Sequence, residues 1–145
     1  MPTFWDPAAR QALVARLDRL TSDATPAWGR FTVAGMAAHL NDAARMALGE
    51  LPVRQKWMPI RYTPLRQLVI FALPMPKGAP TAPELLARCS GADLDRERAA
   101  VKASFDRIAS GVPLVAHPLF GPLSHREWGA LLWKHNDHHL RQFRV

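Results

Sequence analysis

The sequence of 145 residues contains one cysteine and no apolar stretch long enough to cross a membrane. The lone Cys89 cannot form a disulfide within the chain, and a spanning helix needs about 20 consecutive apolar residues. The longest apolar run, Leu68 to Leu73, is stopped by Pro74. The first residues, MPTFWDPAAR, lack the basic stretch and apolar core of a signal peptide. We therefore expect a cytoplasmic protein with no membrane association.

Acidic residues are also few, with 12 against 19 lysines and arginines, which gives a net charge of +7. A charge of this size can indicate an anionic partner such as nucleic acid. The arginines, however, are scattered over every segment, with no dense basic run and no recognisable nucleic-acid-binding motif. Nucleic-acid binding is therefore the least favoured of the functions considered below.

No convincing strand pattern of alternating residues is present, and the apolar residues instead recur at helical spacing. With 48% hydrophobic residues, the chain is long and apolar enough for one domain, residues 1–145. Capping residues and apolar stripes predict four long helices: Asp6–Pro7 to about Ser22, Thr32 to Gly49, Asp93 or Asp95 to Gly111, and Ser124 to Phe143. The predicted fold is an all-α four-helix bundle.

The connection between the second and third helices, residues 50–91, is long and rich in proline. It predicts a partly helical crossover, with a short helical piece after Thr63 and Pro64. A connection of this length is uncommon in a compact domain unless it has structure or function of its own. We expect it to cover one end of the bundle, with Trp57, Met58 and Tyr62 in an ordered apolar lid.

The last predicted helix carries three histidines on its apolar stripe. A capping box of Ser124 and Glu127 indicates where it begins. His135 and His139 are four residues apart, which places their imidazoles about 40° apart around the axis, so both can reach one ion. His39, on an apolar stripe of the second helix, is the best third candidate. Three imidazoles favour zinc or nickel. The alternative, which is the commoner role of any single histidine, is a partly buried, hydrogen-bonded side chain.

Several segments resemble the DinB/YfiT-like superfamily: MAAHLND, ALGE, LPMPKGAPTAPEL, and HPLFGPLS followed by EWGALLWKHNDHHLRQF. The resemblance implies a bundle with an up-down-down-up course and a divalent metal bound by His39, His135 and His139. It places His138 outside the ligand set, packed or hydrogen-bonded beside the site, and includes the nearby Gln142. Characterised relatives include thiol-dependent S-transferases and isomerases that use small cytoplasmic thiols, and similar bundles occur as binding modules.

The leading hypothesis is therefore a metal-dependent enzyme whose three histidines leave coordination positions open to a small-molecule substrate. The resemblance favours thiol transfer over hydrolysis. By their positions, Asp42, one turn from His39, and Asp137, beside His135, are candidate general bases, with an ordinary surface or supporting role as the commoner alternative. Metal occupancy is expected to fall as the pH drops through roughly 6, near the unperturbed imidazole pKa. The alternative from another class is a non-catalytic metal- or ligand-binding bundle. The sequence leaves open the metal, the reaction and the formation of a homodimer.

Overall fold

The computed structural model describes residues 1–145, and its regular elements are all helical. The helices are α1 (Pro7–Asp18), α2 (Val33–Ala47), α3 (Leu65–Gln67), α4 (Leu94–Ala109) and α5 (His125–Gln142). Within the crossover, a π-helical turn over Leu68–Ala72 continues α3, and two short 3₁₀ helices span Pro59–Arg61 and Pro83–Leu85. The only β pairing is one isolated bridge, His117 with Gly121. The all-α prediction is confirmed.

The four long helices begin at the predicted capping residues. The side chains of Asp6, Thr32 and Asp93 each accept a hydrogen bond from a backbone N–H of the first turn. Both halves of the capping box form, since Glu127 N donates to Ser124 Oγ and Ser124 N donates to the Glu127 carboxylate. These caps satisfy N–H groups that have no partner within the helix.

The end of the first helix differs from the prediction. Helix α1 ends at Asp18 rather than near Ser22. The guanidinium of Arg98, on α4, donates to the carbonyls of Leu17 and Leu20. It thereby satisfies carbonyls that another helical turn would have used.

The course of the long helices follows from contacts near their ends. Helices α1 and α5 run in the same direction, because Phe4 N donates to Gly129 O near both starts and Arg16 pairs with Asp137 near both ends. Helices α2 and α4 are also parallel: mid-helix, Asn41 on α2 bonds both Glu97 and Ser104 of α4, and Glu50 just beyond α2 pairs with Arg107 near the end of α4.

Helix α4 runs opposite to α1, because Arg98 in the second turn of α4 contacts the carbonyl of Leu17 at the end of α1. The four long helices, in chain order, therefore run up, down, down and up, as predicted.

One hydrophobic core joins the four long helices and the crossover. Its 22 buried residues form one cluster, to which the crossover contributes the fully buried Ile70. The apolar stripe of α2 contributes Met36 and Leu40, and that of α5 contributes Leu132 and Leu140. Because His39 lies on the first stripe and His135 and His139 on the second, the packing that forms the core also brings these histidines together.

Candidate metal centre

Three histidines from two helices meet inside the bundle. The nitrogen atoms that His39, His135 and His139 can offer to a metal all lie within 4.8 Å of one another. The closest measured pair is His39 Nε2 and His135 Nε2, which are 3.1 Å apart. His39 and His139 are buried, and His135 is half-buried. The structure thus brings together the three residues that the spacing and the resemblance had singled out.

A backbone carbonyl fixes the orientation of His39. Its Nδ1 lies 3.2 Å from the carbonyl oxygen of Leu85 in the crossover. A carbonyl can only accept, so Nδ1 carries the proton and donates it. The lone pair of His39 is therefore on Nε2, the atom that faces His135. Metal-binding histidines are commonly oriented in this way by a partner on the other ring nitrogen.

A glutamine fixes the orientation of His139. Gln142 Nε2 donates to the carbonyl of Trp28 at 2.7 Å, so the amide oxygen of Gln142 faces the other way, 2.9 Å from His139 Nδ1. His139 Nδ1 therefore donates to Gln142 Oε1, and the lone pair of His139 lies on Nε2. Two of the three imidazoles are consequently held with Nε2 unprotonated.

The donor set fits a divalent ion. Tetrahedral zinc with nitrogen ligands at about 2.0–2.1 Å places those nitrogens about 3.3 Å from one another. The 3.1 Å between His39 and His135 is already close to that separation. Because His39 Nε2 carries a lone pair, this contact is a hydrogen bond only when His135 Nε2 carries a proton. To bind by that atom, His135 would have to carry its proton on Nδ1 instead.

Burial keeps the cluster neutral. Desolvation lowers the pKa of His39, lowers that of His135 well below its usual range, and lowers that of His139 to about 3. The neighbouring imidazoles lower the pKa values of His135 and His139 further. Since metals bind neutral imidazole, the three ligand candidates are in the required state at neutral pH.

Aromatic side chains from the loop before α2 cover the cluster. The ring of Phe31 stacks on His39 at 5.2 Å between centroids and meets His139 edge-on at 5.6 Å. The ring centroids of Trp28 and His138 are 5.6 Å apart. The ammonium of Lys77, in the crossover, lies over the ring of Trp28. Phe31 therefore covers one side of the cluster, and Lys77 places a positive charge beside Trp28 and His138.

Three other histidines lie outside the cluster, and one of them, His125, is exposed and stacks on Trp5. His138 packs against His139, with ring centroids 5.1 Å apart, and desolvation lowers its pKa. His117 Nδ1 accepts hydrogen bonds from the backbone N–H groups of Leu119 and Phe120, so this imidazole stabilises the turn before α5. Sequence reasoning placed His138 beside the site, and the structure does the same.

The two carboxylates considered as general bases have structural partners. Asp42 is 1% exposed and bonds to the guanidinium groups of Arg45 and Arg88. Asp137 pairs with Arg16 and Arg141. Each carboxylate is therefore already engaged by two cations, and neither lies free beside the histidines.

The crossover reaches the cluster at a different place from the one expected. Trp57, Met58 and Tyr62 are exposed, and the indole N–H of Trp57 donates to the hydroxyl of Tyr62. The contact with the cluster comes instead from Leu85. Sequence reasoning missed it because a backbone carbonyl leaves no mark in the residue pattern. The PEL turn that contains Leu85 also gave only a weak helical signal.

Comparison with known proteins identifies one family. The sequence profile described as the DinB superfamily matches residues 7–143 of the chain. No curated protein and no solved structure matches the sequence. In the structure, no helix is both long and apolar enough to cross a bilayer.

Proposed function

The chain belongs to the DinB superfamily, and from that premise we propose that it is a metal-dependent enzyme acting on a small thiol. The observation that carries the proposal is the neutral, buried cluster of His39, His135 and His139. We propose that these three are the ligands of a zinc or nickel ion, within one domain spanning residues 1–145. Three protein ligands leave at least one coordination position for substrate, as in sites where the metal is catalytic.

The bound ion would supply a Lewis acid that lowers the pKa of a thiol or water at its open position. The chain's own residues have separate roles. Leu85 O and Gln142 hold the Nε2 atoms of His39 and His139 toward the ion. Phe31 and Trp28 limit the access of water. His138, a neutral imidazole in contact with His139, is the candidate acceptor for the thiol proton.

The reaction proposed is S-transfer. The sulfur of a small thiol forms a bond to an electrophilic carbon, the leaving group departs with its electron pair, and the thiol proton passes to His138 and then to solvent. The positive charge of Lys77 at the edge of the site favours substrates with an anionic group. A cytoplasmic location, where such thiols are abundant, stays a prediction from the sequence, and the formation of a homodimer stays open.

The test begins with elemental analysis of protein purified without a histidine tag. Cobalt-substituted protein is then titrated with N-acetylcysteine, and the visible absorption bands are followed. Turnover is assayed with that thiol and 1-chloro-2,4-dinitrobenzene, from which chloride is the leaving group. His135→Ala is the matched control, since it removes one ligand candidate.

A change in the cobalt bands, with turnover that disappears in His135→Ala, would support the enzyme. Stoichiometric metal without turnover on a broad panel of electrophiles would favour the non-catalytic binding bundle. Salt-sensitive binding to duplex DNA by metal-free protein would favour a nucleic-acid function. A protein that binds no divalent metal would refute the ligand assignment.

His138→Gln tests the proton acceptor. If His138 accepts the thiol proton, this variant should retain metal affinity and turn over more slowly, and the rate that remains should no longer fall at low pH. Unchanged turnover would remove His138 from the mechanism and leave the ligand assignment intact.

A further inference from the structure

The segment of the crossover that touches the cluster is fastened to the bundle at three points. This strap, residues 83–89, begins with the 3₁₀ helix Pro83–Leu85. Its first anchor is the Leu85 carbonyl, which accepts from His39 Nδ1. Its second is Cys89, packed so closely on α2 that a Cβ at Gly35 would lie 3.0 Å from the Cys89 carbonyl oxygen. Gly35 and His39 are one helical turn apart, so both anchors fall on the same face of α2.

The third anchor is a bifurcated ion pair. The guanidinium of Arg88 bonds both oxygens of Asp42 on α2, at 2.8–3.1 Å. The same group bonds both oxygens of Glu97 on α4, at 2.8 and 3.2 Å. Asp42 and Glu97 are 1% and 3% exposed, and the two carboxylates raise the pKa of Arg88 above its ordinary value. A planar guanidinium can make this set of bonds, whereas an ammonium cannot.

Arg88 lies three residues beyond Leu85, in the turn that follows the 3₁₀ helix. Hydrogen bonds within the strap connect the two, because Leu86 N donates to Pro83 O and Cys89 N donates to Leu86 O. If Arg88 were released, the strap would lose its only charged anchor, and the Leu85 carbonyl would be held by its contacts with His39 Nδ1 and the Cys89 thiol and by the packing of Cys89 on Gly35. The neutral His39 could then carry its proton on either nitrogen, since nothing else bonds Nδ1.

We propose that Arg88 is a positioning residue for the histidine cluster: by fastening the strap to Asp42 and Glu97, it holds the Leu85 carbonyl on His39 and keeps His39 Nε2 unprotonated. The role of the lone pair as a metal ligand rests on the proposed function, but the positioning itself is a property of the metal-free protein. It can therefore be tested whether or not the protein proves to be an enzyme.

The experiment compares Arg88→Gln with the parent in metal-free form at neutral pH. Long-range ¹H–¹⁵N correlation spectra report which ring nitrogen of His39 is protonated. In the parent we expect one Nδ1–H tautomer, and in the variant a mixture of both tautomers. Backbone amides of residues 85–89 should exchange with solvent at least about tenfold faster in the variant, and cobalt affinity should fall about 10- to 100-fold.

Arg45→Gln is the matched control. Arg45 bonds the same oxygen of Asp42 at 3.0 Å, but it lies on α2, and its ion pairs are with Asp42 and Glu50 rather than with the strap. This variant should keep the parent tautomer of His39 and the parent exchange rates in the strap. If Arg45→Gln altered His39 as much as Arg88→Gln does, the effect would come from Asp42 alone, and the proposal would be wrong.

Arg88→Lys covers the case in which Arg88→Gln does not fold. Lysine keeps a positive charge between the two carboxylates but cannot bond all four oxygens, so an intermediate loosening of the strap and a partial tautomer mixture are expected. A single Nδ1–H tautomer with parent exchange rates, in whichever variant folds, would overturn the proposal and leave Arg88 as a stabilising ion pair.

Discussion

Acid should unfold the metal-free protein well above the pH at which most small domains lose their carboxylate interactions, because the fold buries neutral histidines. The pKa of His139 is lowered from 6.5 to about 3, and that of His117 to about 4, in both cases mainly by desolvation. Their folded pKa values lie below the unfolded value. The unfolded chain therefore binds more protons below pH 6.5, and stability that is complete above that pH is lost as the pH falls toward the folded values.

The size of the effect follows from linkage. A proton bound only by the unfolded state costs about 1.4 kcal/mol of folding stability per pH unit. Between pH 6.5 and 4.5, His139 and His117 together should remove about 5 kcal/mol, and His39 and His135 are shifted in the same direction. A domain of this size has about 5–15 kcal/mol in total. We therefore expect the midpoint of acid unfolding between pH 6 and pH 4.

The assay is urea unfolding followed by far-UV circular dichroism at several pH values, with a chelator present. The urea midpoint should fall steeply between pH 6.5 and 4.5, and His139→Gln should reduce the slope by about one proton. His125→Gln, which removes an exposed histidine stacked on Trp5, is the control for the substitution itself. A urea midpoint that is flat from pH 7 to 5 would refute the inference that these imidazoles are buried and neutral.

The same argument revises the pH at which metal is lost. The sequence alone predicted release near pH 6, on the unperturbed imidazole pKa. Because the folded pKa of His139 is about 3, protons compete poorly for its Nε2 while the bundle is intact. Metal loss should therefore coincide with unfolding rather than precede it.

Three further outcomes are expected. His135→Ala should abolish stoichiometric metal binding and keep a helical circular dichroism spectrum, since the core of 22 apolar residues does not include the cluster; an unfolded variant would show the metal to be structural. Gln142→Leu should weaken metal binding about 10- to 100-fold in competition with a chromophoric chelator, because His139 Nδ1–H loses its acceptor; unchanged affinity would exclude that role. Ser124→Ala should lower the free energy of unfolding, obtained from urea titration, by about 1 kcal/mol, because the helix loses its N-cap. Ser124→Asp can still cap the helix and should keep the parent free energy of unfolding. An equal loss of unfolding free energy in both variants would count against the cap.

The helix starts could be predicted because each depends on residues within one turn of the chain. Asp6, Thr32, Asp93 and Ser124 accept from N–H groups two or three positions later, and that spacing is visible in the sequence. The end of α1 depends on Arg98, about 80 residues away, which bonds the carbonyl of Leu17. No local pattern contains that interaction, so the predicted helix was too long.

The candidate site likewise has features that could be predicted from the sequence and features that could not. The pairing of His135 with His139 follows from helical periodicity, and the place of His39 on an apolar stripe indicated that it points inward. What orients these rings could not be predicted, because Leu85 acts through its backbone carbonyl and any residue type could supply one. Arg88 was one of many arginines in the sequence, and only the fold sets it between two buried carboxylates.

These orienting contacts explain how a cluster of three histidines can be both buried and ready to bind an ion. Leu85 O and Gln142 Oε1 each accept an Nδ1–H, so two rings present lone pairs to the same space. His135 has no such acceptor on Nδ1, and its Nε2 lies 3.1 Å from Nε2 of His39. The fold therefore orients two of the three ligand candidates in advance, and the tautomer of the third, the half-buried His135, is not fixed in this way.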